Sequence, residues 1–514
     1  MSSFTSAHTT LFIPIFLLYL YHRFVHSPRS RFPLPPGPKG LPIIGSLLDS
    51  AIFSNDSNTK SCEPEWKTYL DLGKKFNSDI IHISVLGDHT VVLNSANATD
   101  DLLEKRSGIY SDRPGTFSPQ FIKAGRNHTI MLTAYHMFLR KMFHQYFQPR
   151  SLAKFHPFQR KAVLELLDSL INLSKDGETE FKGPLQRYAG SVILRAIYGI
   201  TTQEDQEHYV SLVNRAILGI AQAGSHGNFL VDYLSIFEMA WLPGAGFKRK
   251  AKAWTQSAVA LRDEPWEKLQ TSVAAGTALD CLATENLDKA KKDDTQMEVM
   301  IRNCTGVAYL GKASLLLSTV LSLLHNPDVQ ARAQRELDTV VGTSRLPDFG
   351  DRENLPYLEA ILTESLRIYP VLPLAVPHHS IEDDVYEGYF IPKGTTFVAN
   401  SWAILHNKHA YPDPLKFNPE RFVQKEGEKL PPSPLLYAFG YGRRQCPGRP
   451  FALDNAWLAI ACILATFNIK KAINQDGTEI EAEIAYTKGM VSHPEDFKCR
   501  FVPRSTGAWG RTSN

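Results

Sequence analysis

The chain contains 514 residues, of which 43% are hydrophobic and 11% are aromatic. This composition supplies enough apolar material for a large core. Neither a Gly/Ser-rich linker nor an internal repeat divides the chain after residue 50, so we expect a single domain over residues 46–514. The net charge of +3, from 56 basic and 53 acidic side chains, is too small to indicate nucleic-acid binding.

Residues 1–24 are predicted to form a membrane anchor. Residues 10–21 are uncharged and largely apolar, and Arg23, Arg29 and Arg31 follow them. The apolar run is shorter than the roughly 20 residues of a bilayer span, but the polar, uncharged residues before it extend it. Because the positive charges follow the run, the positive-inside rule places the bulk of the protein in the cytosol. A cleaved signal peptide is the competing interpretation.

Residues 25–45 are predicted to be a basic, proline-rich hinge between the anchor and the domain. Residues 33–38 read Pro-Leu-Pro-Pro-Gly-Pro, a composition that is stiff and extended. Glycosylation sequons at Asn97 and Asn127 would be modified only in a secreted chain, so they offer a check on the topology.

The body of the chain is predicted to be mainly α, in the α+β class. Alternating patterns predict strands at 81–86 and 91–93, joined by a turn at Gly87 and Asp88, and a hairpin over 385–398. Amphipathic patterns predict helices at 64–76, 98–106, 151–174, 186–199 and 205–223.

The cysteines are scattered without paired spacing, which indicates neither a disulfide framework nor a zinc site. We therefore expect the domain to lie in a reducing compartment. The six positions are Cys62, Cys281, Cys304, Cys446, Cys462 and Cys499.

Residues 306–312 satisfy most of a phosphate-loop pattern, but position 313 is alanine and lacks the hydroxyl that binds magnesium. The surroundings favour a helix over a strand that feeds a glycine loop, so we disfavour nucleotide binding. A second membrane span over 307–324 is possible by length. Lys312 and the absence of flanking anchors make a buried helix the better interpretation.

Residues 354–367 are predicted to form a helix that ends before Pro370. Glu364 and Arg367 stand at i and i+3, on one face, where an acid and a guanidinium can pair. An ordinary solvated surface pair is the alternative.

Residues 439–448 place Cys446 among glycines and arginines. Glycines permit tight turns and close approach of a flat ligand, while Arg443 and Arg444 offer fixed positive charge to an acidic group. A thiolate in such a loop would be a strong electron-donating ligand for haem iron. The alternative is a small buried cysteine between turn residues.

The pattern Phe-x-x-Gly-x-Arg-x-Cys-x-Gly at 439–448 resembles the haem-binding signature of the cytochrome P450 family, the haem-thiolate monooxygenases. The resemblance implies the P450 fold, with a small β-rich region near the N-terminus. It also implies a heme b cofactor whose iron takes Cys446 as its axial ligand. Phe439, Arg444 and Gly448 would be further contacts of the cofactor.

The same resemblance implies roles for residues outside the cysteine loop. Arg421 would return to Glu364 and Arg367 and complete a buried charged triad that supports the haem loop; such a cluster must be fully hydrogen-bonded. The haem propionates would contact His136, Arg140, His378 and Arg444. A lone histidine in a helix is more often a core or surface residue than a ligand.

The helix over the oxygen-binding face departs from the family pattern Ala-Gly-x-Asp/Glu-Thr-Thr, whose acid and alcohol help deliver protons. Residues 307–312 stand in its place and hold neither group. Thr305 and Ser314 are the nearest aliphatic hydroxyls and are the candidates for a proton relay. Some relatives that lack the pair rearrange their substrates or use peroxide.

Family position also predicts the substrate pocket, whose residues are mostly apolar and favour a lipophilic small molecule. The apolar loop 237–247 would offer an entry route beside the membrane. The predicted lining consists of Thr116, Phe117, Phe121 and residues 307–311, 371–374 and 487–491.

The resemblance therefore implies a monooxygenase of the endoplasmic reticulum membrane, most like fungal members of secondary-metabolite pathways. Electrons would come from NADPH-cytochrome P450 reductase, which would dock near Arg443 and Arg449. Two alternatives follow from the missing acid and alcohol. One is a haem-thiolate isomerase or dehydratase that needs no reductase, and the other is a degenerate paralogue without activity.

Overall fold

The computed structural model describes residues 31–41, 45–46, 63–114, 136–175, 180–224, 246–289, 297–299, 301–302 and 313–504. Within these ranges the chain is mainly helical, with three small sheets, as expected for the α+β class. The predicted anchor lies outside the described residues. Among the helices that are described, none combines the length and the apolar character needed to cross a bilayer.

The α-helices, numbered in chain order, are α1 Glu65–Phe76, α2 Ala96–Thr99, α3 Ser107–Tyr110, α4 His136–Phe147, α5 His156–Lys175, α6 Lys182–Tyr198, α7 Gln203–Gly224, α8 Gly246–Ala274, α9 Leu282–Leu287, α10 Ala313–His325, α11 Pro327–Val340, α12 Pro356–Ile368, α13 Ser401–Leu405 and α14 Arg449–Thr466. Short 3₁₀ turns cover Pro149–Phe155, Phe349–Asn354, Pro419–Phe422, Pro434–Leu436 and Gly442–Arg444, and Asp100–Lys105 forms a π-helix.

The strands are β1 Ile80–Val85, β2 Asp88–Leu93, β3 His378–His379, β4 Asp384–Tyr386, β5 Tyr389–Ile391, β6 Thr396–Ala399, β7 Phe467–Ile473, β8 Glu479–Ile480 and β9 Cys499–Pro503. One sheet has the order β1-β2-β6-β3, another consists of β4 and β5, and the third has the order β8-β7-β9. Strands β2 and β6 run parallel, whereas the other pairs are antiparallel.

The hairpin of β1 and β2 follows from its two-residue loop. Leu86 and Gly87 both have positive φ angles, of 50° and 84°. Two positive φ angles in succession match the right-handed twist of the flanking strands and close the hairpin tightly. The pairing of Val85 with Asp88 leaves only these two residues in the loop.

The predicted hairpin over 385–398 is only partly correct. Strands β4 and β5 pair as a hairpin, with Val385 opposite Phe390. Strand β6 instead joins the first sheet, parallel to β2, and all four of its residues are buried. Local alternation does not specify which strand a buried segment pairs with, because that choice depends on residues about three hundred positions away.

The main core lies between helices α5, α6, α10 and α14. Helix α14 is apolar on almost every side and twelve of its 18 residues are buried, the pattern of a helix inside a large domain. Phe451 at its start packs on Phe147 and Phe155, with ring centroids 4.9 Å apart in both pairs. This packing fixes the helix that follows the cysteine loop.

Helix α10 is buried along its length, from Ser314 to Leu324. It contacts α6, α12 and α14, so the described part of residues 307–324 is a core helix and not a second membrane span. The phosphate-loop alternative concerned residues 306–312, which lie outside the described residues.

The described part of the predicted hinge packs against the sheets. The Phe390 N–H donates to the Pro33 carbonyl over 2.7 Å, and the His82 N–H donates to the Pro36 carbonyl over 2.9 Å. A side chain at Gly37 would place its Cβ 1.8 Å from the His82 oxygen, so only glycine permits this approach.

Candidate active site

The cysteine loop is shaped by two glycines with positive φ, Gly440 at 83° and Gly442 at 50°. Its ends are closed by the Cys446 N–H, which donates to the Phe439 carbonyl over 2.8 Å. Helix α14 begins three residues later, at Arg449. The loop therefore presents Cys446 from a tight turn that leads directly into a buried helix.

The exposure of Cys446 distinguishes it from the other described cysteines. Cys281, Cys462 and Cys499 are buried, whereas Cys446 is exposed. Burial raises the pKa of each of those three thiols, so they remain protonated and inert. Among the described cysteines, Cys446 alone is accessible to an external group, which excludes the buried-cysteine alternative for it.

Glu364 and Arg367 lie together on α12, and both side chains are fully buried. The guanidinium binds the carboxylate through two bonds, from Nε to Oε2 over 2.7 Å and from Nη2 to Oε1 over 2.8 Å. Arg421 joins them, with its Nε 3.4 Å from Glu364 Oε1. The structure thus brings the three predicted residues together and excludes a solvated surface pair.

Backbone groups satisfy the rest of this cluster. Arg367 Nη1 donates to the Leu405 carbonyl over 2.9 Å and to the Pro414 carbonyl over 2.8 Å. The Asn418 N–H donates to Glu364 Oε1 over 2.8 Å. A buried ion pair must gain such bonds to offset its desolvation. The cluster therefore ties α12 to the irregular segment that precedes the cysteine loop.

His378 is buried, and its Nδ1 lies 2.8 Å from the Tyr110 carbonyl oxygen. Burial, together with the nearby charges of Arg113 and Arg444, lowers its pKa to about 3. Arg444 reaches the same neighbourhood, where its Nε donates to the Ser111 carbonyl. The two arginines and His378 thus form a positively charged group, the His378 cluster.

Arg113 belongs to the His378 cluster, and no sequence pattern predicts its place there. Its side chain is buried, and Nη1 donates to the carbonyls of Val376 and Pro377 over 2.6 and 2.5 Å. It therefore holds the turn before His378. The only local signal is an arginine before Pro114, which does not indicate a contact 263 positions away.

The segment 100–113 connects the cysteine loop to the His378 cluster and to β4. Tyr110 Oη and Arg106 Nη1 both donate to Asp384 Oδ2 over 2.7 Å. Burial raises the pKa of Asp384, but these two hydrogen bonds, a third from the Val385 N–H and the charge of Arg106 together lower it overall. At neutral pH the carboxylate is charged and fixes the start of β4 against this segment.

Two of the predicted pocket segments meet. The Ser492 N–H donates to the Val371 carbonyl over 2.8 Å, which joins the turn at 371–374 to the residues after 487–491. Thr487 Oγ1 donates to the Val491 carbonyl over 3.1 Å and closes the second segment. Thr116, Phe117, Phe121, residues 307–311 and most of the loop 237–247 lie outside the described residues.

Ser314 lies at the start of α10 and is 8% exposed. Ser318 and Ser322 follow at intervals of four residues, so the three hydroxyls share one helix face. Thr305 lies outside the described residues. His136 and Arg140 stand one turn apart at the start of α4, and their side chains lie outside the described part.

Comparison with known proteins gives the family. The model of the family described as cytochrome P450 matches residues 35–501. A cytochrome P450 monooxygenase of Armillaria gallica is 37% identical, over 98% of each chain. Cytochrome P450 monooxygenase 98 of Postia placenta is 36% identical, over 93% of this chain and 92% of the relative.

A third relative, tryptamine 4-monooxygenase of Psilocybe cyanescens, is 34% identical over 93% of this chain and 94% of its own. The family resemblance and the enzyme class predicted from the cysteine loop are thus confirmed. The chain belongs to the cytochrome P450 family and is an oxidoreductase of that family.

Proposed function

We propose that this enzyme holds heme b through Cys446 and oxidises a lipophilic small molecule with electrons from a reductase. The observation that supports it most is the exposed Cys446, held in a glycine-shaped loop two positions after Arg444, a member of the positively charged His378 cluster. A ligand with acidic groups and a metal that accepts a thiolate suits both features.

The residues present fit haem. Arg113 and Arg444 carry permanent charge and would bind the propionate carboxylates. His378 keeps its Nδ1 on the Tyr110 carbonyl, which leaves Nε2 for the cofactor side. Burial and, after it, nearby positive charge lower the pKa of His378, and an anionic group placed opposite it would raise that pKa. Acidic ligand groups are thus favoured at the His378 cluster.

When bound, haem would supply the iron chemistry that activates oxygen. The Cys446 thiolate would donate electron density to that iron and favour cleavage of the oxygen–oxygen bond. Gly448 packs beside it, since a Cβ at that position would lie 4.0 Å from the Cys446 sulfur. The Glu364–Arg367–Arg421 cluster would keep the preceding segment in place.

Ser314 and Thr305 are the residues that we propose for proton transfer on the opposite side of the cofactor. Buried Ser314 begins a described helix, where a hydroxyl can relay a proton between water and a bound molecule. Neither position supplies the carboxylate of the family pattern. That departure supports the second candidate function, a haem-thiolate isomerase or dehydratase that works without reductase.

We infer a place in secondary metabolism and a membrane location from the relatives and from residues 1–24. The relatives include a fungal tryptamine 4-monooxygenase, whose name applies to that protein and does not identify the substrate here. An anchor at 1–24 would hold the domain on the cytosolic face of the endoplasmic reticulum. There the exposed Arg443 and its neighbour Arg449 would meet the acidic surface of NADPH-cytochrome P450 reductase.

The first test is the absorption spectrum of the reduced carbon monoxide complex of the wild type and of Cys446→Ala. We expect the thiolate-type band in the wild type and its loss in the variant. A thiolate-type band in both would refute the ligand assignment. Wild type that binds no haem would refute the function.

A microsomal assay with and without the reductase then separates the candidate functions. A monooxygenase consumes NADPH and forms product only with the reductase, whereas an isomerase or dehydratase forms product without it. If the protein converts no substrate either with or without the reductase, the result would support the degenerate paralogue without activity. Metabolite profiles of a strain in which the gene is deleted would identify the compound that accumulates.

A further inference from the structure

We propose that Glu104, on the π-helix Asp100–Lys105, is a positioning residue for the Cys446 loop and keeps the thiolate bound to iron. The proposal rests on the assignment of Cys446 as the axial ligand. It adds a group that touches neither substrate nor cofactor, and that acts through the backbone of Gly442.

The contact is one hydrogen bond between distant parts of the chain. The Gly442 N–H donates to Glu104 Oε1 over 2.5 Å, and the two residues are 338 positions apart. A backbone bond to a carboxylate is charge-assisted and stronger than a bond between neutral groups. Glu104 thus anchors the middle of the loop to a different structural element.

Glu104 supplies a cap that the loop itself lacks. Gly442 opens the 3₁₀ turn Gly442–Arg444, and the first N–H groups of such a turn have no partner inside it. The side chain of Tyr441, at the capping position, makes no hydrogen bond to the turn. Its hydroxyl pairs with Ser401 Oγ instead, over 2.7 Å. The carboxylate of Glu104 takes the role that a capping side chain normally has.

The π-helix places Glu104 at the loop. Its wider turn is visible in the Arg106 N–H, which donates to the Asp101 carbonyl over 3.1 Å, five residues back. Leu102 and Leu103 are fully buried and fix the helix, while the next residue, Glu104, is exposed at the loop. Turns of this kind are frequent at functional sites.

The same helix also limits what can stand at position 442. A Cβ there would lie 2.0 Å from the Leu103 carbonyl oxygen. The loop and the π-helix therefore meet backbone to backbone, and the Glu104 bond lies beside that contact. Removal of the carboxylate would free an N–H that links the loop to the π-helix at this surface.

A shift at Gly442 would reach Cys446 within four residues. The Gln445 N–H donates to the Gly442 carbonyl over 3.2 Å, and the Cys446 N–H donates to the Phe439 carbonyl over 2.8 Å. Through these bonds the turn fixes the direction in which the cysteine leaves the loop. A loosened turn would let the sulfur leave the iron and take up a proton more often.

The experiment measures how fast the reduced carbon monoxide complex loses its thiolate-type band at a temperature well below unfolding. We expect Glu104→Ala to speed this loss about fivefold, the factor that corresponds to the ~1 kcal/mol of one capping bond. Glu104→Gln keeps an acceptor oxygen and should restore most of the wild-type rate. The rate of haem transfer to apomyoglobin should follow the same order.

Asp101→Asn is the matched control. Asp101 is an acid on the same π-helix, but it binds Lys105 and Tyr386 instead of the cysteine loop. Its substitution should leave the loss of the band close to the wild-type rate.

An unchanged rate in Glu104→Ala, or an equal acceleration in Asp101→Asn, would overturn the proposal. If Cys446→Ala also kept the thiolate-type band, the ligand assignment would fail instead. The two failures are therefore distinguishable.

Discussion

His378 Nδ1 lies 2.8 Å from the backbone oxygen of Tyr110, so the imidazole N–H donates a hydrogen bond to a carbonyl outside strand β3. The tautomer is thereby fixed with the proton on Nδ1. Tyr110 is held in turn by its hydroxyl on Asp384. The orientation of a predicted cofactor contact thus depends on a carboxylate of β4, which the sequence gives no reason to connect with it.

Arg113→Ala and Arg444→Ala should each weaken haem retention. Beside burial, the charges of both side chains lower the pKa of His378, which places the two guanidinium groups near the imidazole. Loss of a charge-assisted hydrogen bond costs roughly 1.5–3 kcal/mol, so we expect haem release about tenfold faster or more. The measurement is haem transfer to apomyoglobin.

Arg443→Ala is the control for that measurement, because Arg443 is exposed on the same loop. It should release haem at the wild-type rate. Equal release from all three variants would mean that the His378 cluster does not bind the propionates.

Glu364→Gln should greatly reduce the amount of folded protein. It leaves Arg367 as a buried charge with a weakened partner, and breaking such a pair costs about 3–5 kcal/mol. The matched control is Arg160→Ala. Arg160 also binds a carboxylate, that of Asp348, through two bonds, but both side chains are more than 40% exposed.

An exposed pair of this kind contributes only about 0–1 kcal/mol. The melting temperatures of the two variants should therefore differ widely, although the two ion pairs have similar hydrogen-bond geometry. Similar melting temperatures would show that burial does not decide the strength of the Glu364 cluster.

Gly442→Ala should reduce the share of protein that shows the thiolate-type band. The added Cβ would lie 2.0 Å from the Leu103 oxygen, and the φ angle of 50° is itself unfavourable for alanine. Gly477→Ala is the control, because Gly477 also has a positive φ, of 86°, but open space around it. Only the first variant should alter the spectrum; the same change in both would assign the effect to backbone strain alone.

Stability should fall as the pH is lowered from 6.5 towards 3, in part because of His406. Burial and the Arg367 charge lower its pKa from 6.5 to about 3. In that window the unfolded chain binds a proton that the folded chain does not, so acid favours unfolding by up to about 1.4 kcal/mol per pH unit. His406→Gln should therefore show a shallower decline of melting temperature than the wild type.

His409→Gln is the comparison, since His409 is exposed in the following turn. The melting temperature of this variant should decline with falling pH in parallel with that of the wild type. A His406→Gln curve that also runs parallel would remove His406 as a source of acid sensitivity.

Ser314→Ala and Thr305→Ala should divert electrons from product to hydrogen peroxide if their hydroxyls relay protons. The measurement is product and peroxide formed per NADPH consumed, with the reductase present. Ser322→Ala is the control on the same helix face as Ser314, because its hydroxyl donates to the Ser318 carbonyl over 2.8 Å. No change in either of the first two variants would exclude both as relay residues.

The sequence predicts those parts of the site that depend on local spacing. Glu364 and Arg367 pair because they stand three residues apart on a helix, and the cysteine loop is recognisable from its glycines. Arg113 and Glu104 were missed because their partners lie 263 and 338 positions away. Such contacts depend on how distant elements pack, which periodicity does not encode.

The helix predicted over 98–106 shows the same limit. Its apolar residues were identified correctly, and Leu102 and Leu103 are fully buried. The structure divides the segment into α2 and a π-helix, and the π-helix carries Glu104, which binds the cysteine loop. A pattern with a period of 3.6 residues does not register one additional residue in a turn.

The hydrogen bonds that the Pro33 and Pro36 carbonyls accept fix the proline-rich segment 33–38 in place. A truncated protein that starts at residue 32 keeps both acceptors, whereas one that starts at residue 38 leaves the N–H groups of Phe390 and His82 without them. Because these two bonds hold the segment to two different sheets, the polypeptide enters the domain at a fixed place and in a fixed direction. Whatever precedes the segment would therefore orient the enzyme as well as tether it.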